Sequence, residues 1–152
     1  MEQTSTTRPS ALDGVRRGGW PLLVLGAWSV LTWAGRIRNI VEDAELSGGE
    51  RAAWLVPAVV FIAGGVLVLV AWRRGGGRAL RPAVRAFALW TIGYWALRTV
   101  LLVGNGHSAG FVAVHAVLAV VAGGLAAAVL VHLRQTASGR QGLGMPTAGA
   151  AR

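Results

Sequence analysis

Polar and apolar residues segregate along this chain into blocks rather than alternating faces. Charge-free runs cover 18–35, 52–72 and 99–133, and a further apolar segment, 86–97, meets the last run at Arg98. A bilayer core about 30 Å thick needs roughly 20 apolar residues as a helix. The pattern therefore predicts four spans, at about 19–37, 52–72, 84–103 and 109–133. A water-soluble bundle would carry a polar stripe on each helix, and 55–72 has no polar side chain.

The blocks also echo one another. Trp28-Ser-Val-Leu-Thr-Trp33-Ala-Gly-Arg36 returns as Trp90-Thr-Ile-Gly-Tyr94-Trp95-Ala-Leu-Arg98, and Ala63-Gly64-Gly65 returns as Ala122-Gly123-Gly124. We therefore expect an all-α, four-transmembrane-helix bundle built from two helix hairpins. A two-helix repeat starts its second copy on the same side as its first, so the repeats are parallel. Arg36 and Arg98 should then share one depth. Gly64, Gly65, Gly123 and Gly124 should lie near mid-membrane, where a missing side chain lets backbones approach, and Ala119, Gly123 and Ala127 form a small-xxx-small ladder.

Outside the membrane domain, 19–133, the sequence predicts a flexible tail over 1–18 and a disordered tail over 134–152, rich in Gly, Ala and Thr. Residues 37–51 form the longest connection. Within it Ser47-Gly-Gly-Glu50 has capping-box spacing, which would start the second helix near Gly48 and leave Pro57 past its first turn as a kink. Trp20, Trp33, Trp54 and Trp72 bracket the first two helices as an interfacial belt. The first apolar run has no cleavage-site pattern, so it reads as retained.

Charge fixes the expected orientation. The net charge is +9, all fifteen basic residues are Arg, and cysteine is absent. Eleven arginines fall on the side of the termini: Arg8, Arg16 and Arg17; Arg73, Arg74, Arg78, Arg81 and Arg85; and Arg134, Arg140 and Arg152. The opposite side has Arg36, Arg38 and Arg51 with Glu42, Asp43, Glu45 and Glu50. By the positive-inside rule both termini are cytoplasmic, in a multi-pass protein of the cytoplasmic (inner) membrane. No basic face interleaved with exposed aromatics is present, so nucleic acid is not an expected partner. Membrane lipids are, with the Arg-rich loop drawn to anionic headgroups.

Few residues carry candidate chemistry. Phe87, Trp90, Tyr94, Arg98 and Leu101 share one helical face, and an arginine on Trp or Tyr makes a cation–π pair. The expectation is an outer-leaflet site for an anion or headgroup, formed by Arg98 with Arg36. The competing reading is an arginine snorkelling from a helix end. His115 is level with Arg98 across the turn at Gly104-Asn105-Gly106, and either joins that site or donates to a nearby carbonyl. Glu42, Asp43 and Glu45 either fold back onto Arg36, Arg98 and His115 or remain solvated, with Arg38 pairing locally to Glu42. Asp43, Glu45, His107 and His115 match no ligand spacing, so neither a metal nor a cofactor is expected. His115 and His132 stand roughly 25 Å apart along a helix, too far for bis-His haem.

Arg36-Ile-Arg38-Asn39, the acidic connection, and His107-Ser-Ala-Gly-Phe111 leading to His115 resemble a group of small four-helix membrane proteins from high-GC Gram-positive bacteria. The likeness covers about 20–133 and implies a fold but no activity. Small multidrug exporters share only the helix count, because their carboxylate in the first membrane helix is missing here. Thiol-dependent quinone oxidoreductases are excluded by the absent cysteines. Three functions follow. The first is a non-enzymatic accessory protein that binds a lipid, a small amphiphile or a membrane-protein partner. The second is a homo-oligomeric transporter component. The third is an intramembrane enzyme using His115 with an outer-loop carboxylate.

Overall fold

A computed structural model describes residues 19–75, 78–104 and 108–141. Among the described residues the chain forms four α-helices: α1 (Trp20–Glu42), α2 (Gly48–Arg73), α3 (Arg81–Gly104) and α4 (Ala109–Gln141). A 3-10 turn, Arg78–Leu80, leads into α3. Three of the four are long and apolar enough to span a bilayer: α2, α3 and α4 over Ala109–Ser138. α1 has the length, but Arg36, Arg38 and Glu42 occupy its last two turns and shorten its apolar stretch. The apolar windows are at most 28% buried, and Leu31, Val100, Val103, Val117 and Val120 are among the large side chains facing outward. Water penalises such a surface, whereas lipid does not.

Local signals set the helix ends. Pro21 sits in the first turn of α1, where its missing N–H costs nothing. Ser47 caps α2 by accepting from the Glu50 N–H at 3.3 Å, while the Glu50 carboxylate accepts from the Ser47 N–H at 3.0 Å. α2 continues through Pro57 and stops at Gly75, whose φ of +67° and N–H donation to the Trp72 carbonyl end it in a left-handed cap.

α1 packs most extensively on α2, and α3 on α4, with α1 against α4 closing the bundle. The α1–α2 contact is the closest because it is glycine on glycine. A Cβ on Gly65 would stand 2.9 Å from the Gly26 carbonyl oxygen and 3.0 Å from the Ser29 Cβ. Between α2 and α3, aromatic side chains fill the gap. A Cβ on Gly64 would collide with the Phe87 ring. Phe61 is fully buried at the centre, stacked on Trp33 of α1 at 4.5 Å and edge-on to Tyr94 and Phe87 of α3 at 5.0 and 5.8 Å. Leu25, Val68, Val84, Ala126 and Val129 complete the core. The one buried α3 hydroxyl, Thr91, donates to the Phe87 carbonyl at 2.9 Å.

The echo between the first and third helices preserves its facing. Ser29 and Thr91 are both buried, as are Trp33 and Trp95. The Ala-Gly-Gly echo does not. Gly65, the last of its triplet, faces inward, whereas in α4 the first residue, Ala122, does so. A Cβ on Gly123 or Gly124 would meet nothing, so neither packs helices, contrary to expectation. The cause is register. The inward residues of α4 are Ala119, Ala122, Ala126 and Val129, and the next two positions rotate off that face at about 100° each.

Two boundaries also differ from expectation. The α1–α2 connection contracts from 37–51 to 43–47, because α1 gains a turn held by the Arg38–Glu42 pair and α2 starts at its capping box. The disorder expected from 134 does not hold for 134–141, which are helical. There Thr136 accepts from Arg81 at 3.3 Å and donates to the His132 carbonyl at 3.0 Å, tying the end of α4 to the start of α3. The tails 1–18 and 142–152, the turn 105–107 and His107 lie outside the described residues.

These contacts rank the glycines. Gly65→Val is expected to lower the melting temperature in detergent by the equivalent of about 1–3 kcal/mol or more, since backbone cannot yield as a side chain would. Gly124→Ala is expected to be neutral or stabilising by about 0.5–1 kcal/mol, because Ala holds a helix better and meets no neighbour. Parallel melts read by circular dichroism check the order.

Candidate functional site

A cavity of about 430 Å³ opens between the helices at the end that carries the 43–47 connection. Helical spacing brings its walls together. On α1, Thr32, Arg36 and Asn39 follow one another at four and three residues, and on α3 Tyr94 and Arg98 at four, so each set shares a face. α2 contributes Trp54, and α4 contributes His115 and Leu118.

Two cations converge on one indole. The guanidinium carbon of Arg98 lies 4.7 Å from the centre of the Trp54 ring, and that of Arg36 lies 5.8 Å from it. The two groups are therefore at one end of the bundle and no farther apart than the sum of those distances. Each such contact contributes about 0.5–2 kcal/mol, more where water is excluded. Arg98 is partly buried and Arg36 exposed. Beneath them Trp33 and Tyr94, 5.6 Å apart, form a floor that rests on Phe61.

Among the described residues no carboxylate lines the cavity. Three of the four nearby acids make local contacts. Glu42 accepts from Arg38 at 2.9 Å in an exposed pair, Asp43 accepts from the Glu45 N–H at 3.0 Å, and Glu50 serves the Ser47 cap. Arg51 donates to the Asp43 carbonyl at 2.9 Å. Of the three arginines in the lining, Arg38 is the one paired with an acid among the described residues.

His115 closes the site from α4. Its Nδ1 is 2.9 Å from the Phe111 carbonyl oxygen, and its ring lies 4.1 Å from that of Phe111. A carbonyl only accepts, so Nδ1 donates and Nε2 is the nitrogen left for another partner.

Four of the residues expected from sequence thus meet: Arg98, Arg36, Tyr94 and His115. Three others do not line the cavity. Trp90 stays 45% exposed one turn from Tyr94, its ring tilted against it at 6.0 Å. Glu42 and Asp43 stay at the exposed end of α1, because the five-residue connection and the local Arg38 pair leave no length to fold back. Among the residues the sequence reading missed, Trp54 matters most. Antiparallel packing about a loop centred near Glu45 brings residues 36 and 54 level. The same count about the second turn pairs 98 with 115.

No family model, curated protein or solved structure matches this chain.

Phe61 supports both the core and the cavity floor. Phe61→Ala is expected to cost about 3–5 kcal/mol, the usual range for a buried ring. Unfolding in mixed micelles titrated with denaturing detergent would measure it, with Val120→Ala as an outward-facing control expected to change little.

Proposed function

We propose that this protein is a non-enzymatic, multi-pass membrane protein that holds the headgroup of an anionic lipid or small amphiphile in the Arg36–Arg98–Trp54 cavity. One observation carries the reading. Two guanidinium groups share an aromatic-walled cavity whose lining, among the described residues, has no acid. The partly buried Arg98, with the exposed Arg36 beside it, favours an anion where the aromatic wall limits water, and the indole and phenol faces suit the first carbons of an acyl tail. The enzyme alternative needs a carboxylate beside His115, and the described lining residues include none.

Four crossings fit this reading better than three. α1 meets α2 along its length, at Gly26 with Leu69, at Trp33 with Phe61, and at Arg36 with Trp54. A helix so packed lies alongside its neighbours, with Arg36 and Arg38 reaching the interface. The echo of α1 in α3, with burial preserved, supports two parallel hairpins from one ancestral hairpin. The arginine count supports cytoplasmic termini in the inner membrane, which would put the cavity in the outer leaflet.

Two experiments test this. Dioctanoyl phosphatidylglycerol should stabilise the purified protein by about 2.7 kcal/mol when present at 100 times its dissociation constant, while dioctanoyl phosphatidylcholine gives a much smaller shift. Arg98→Gln should remove the difference, and an unchanged difference would exclude Arg98. The chain has no cysteine, so single substitutions report topology cleanly. In intact cells an impermeant maleimide should label Ala44→Cys and not Gly75→Cys; the reverse pattern would invert the orientation.

A further inference from the structure

The protonation pattern around the cavity restricts which anion it takes. Arg36 and Arg98 carry guanidinium groups, which stay cationic in proteins, and among the described residues no lining carboxylate balances them. Arg38 is already neutralised by Glu42 at 2.9 Å. A single bound headgroup therefore faces two full charges.

His115 adds a directional requirement. With Nδ1 donating to the Phe111 carbonyl at 2.9 Å, the neutral ring offers Nε2 as an acceptor only. A donor on a bound headgroup would pair with it. Carboxylates, sulfonates and phosphodiesters carry no proton at neutral pH. A phosphomonoester loses its second proton near pH 6, so part of it still carries that proton near neutral pH. It can present P–OH to Nε2. If that proton moves to Nε2, the headgroup becomes a dianion and the ring an imidazolium, so three cations face two negative charges with no co-reactant needed.

Resting on the amphiphile reading above, we propose that the cavity selects a phosphomonoester headgroup over phosphodiester and carboxylate ones. The groups responsible are Arg36 and Arg98 for charge and His115 for the proton-bearing oxygen. A lipid phosphomonoester and a soluble one share this chemistry.

The test uses the full chain in phosphatidylcholine nanodiscs. Two probes with identical tails, dioctanoyl phosphatidic acid and dioctanoyl phosphatidylmethanol, differ only by a methyl group in place of the ionisable proton. Phosphatidic acid is expected to bind about tenfold more tightly, a factor within reach of one charge-assisted hydrogen bond. His115→Phe should bring the two affinities together while phosphatidylmethanol binding persists. Arg98→Gln should weaken both. Equal affinities for the unmodified protein would overturn the selectivity and leave the amphiphile reading standing. If neither probe binds better than dioctanoyl phosphatidylcholine, both readings fail. A preference that survives His115→Phe overturns the role given to His115. Inorganic phosphate separates the two sources. Displacement of bound phosphatidic acid at millimolar phosphate supports a soluble phosphomonoester, and resistance to it supports a lipid one. The comparison of probes on the unmodified chain stands even if a variant fails to fold.

Discussion

Phe61 joins the core to the cavity. Its ring stacks on Trp33 and meets Tyr94 and Phe87 edge-on, so one side chain of α2 fixes α1 and α3 at once. Trp33 and Tyr94 are at the same time walls of the cavity. The level at which Arg36 and Arg98 meet Trp54 is therefore set from below by aromatic packing. In a bilayer this matters more than in water, because burying apolar surface between helices gains little over leaving it in lipid. Shape and ring contacts must supply the specificity.

The glycines make that packing available. Gly26 and Gly65 let α1 and α2 approach backbone to backbone, and Gly64 leaves room for the Phe87 ring. The two helix pairs are thus spaced differently. α1–α2 is tight where side chains are missing, while α2–α3 is held apart by the rings of Phe61, Phe87 and Tyr94. An opening between helices at the end with Trp54 is consistent with that unequal spacing, and it is where the arginines lie.

The electrostatics follow from loop length. Five residues connect α1 to α2, and three acids at that end make local contacts: Glu42 with Arg38, Glu50 with the Ser47 cap, Asp43 with the Glu45 N–H. An exposed pair such as Arg38–Glu42 adds little stability. Its consequence here is that Glu42 is not free to neutralise Arg36 or Arg98. The unbalanced charge that would recruit an anion is thereby kept.

Much of the helix layout was legible in the sequence, because helix formation in apolar blocks, capping boxes and glycine stops depend on neighbouring residues alone. The four helices, the start of α2 at Gly48 and the shared level of Arg36 and Arg98 come from such local signals and from counting along antiparallel helices. The same count would have found Trp54, which instead read as one more interfacial tryptophan. What periodicity left undecided is which way α4 turns. α4 carries small residues on two adjoining faces, Ala119, Ala122 and Ala126 on one and Ala119, Gly123 and Ala127 on the other, so its pattern did not choose between Ala122 and Gly123 as the inward residue. Only packing against the other helices chose, and it turned Gly123 and Gly124 away while leaving Gly64 and Gly65 inside. The fate of Glu42 and Asp43 was likewise tertiary. Residue type allowed either a bridge to the arginines or a solvated turn, and the short connection decided for the turn.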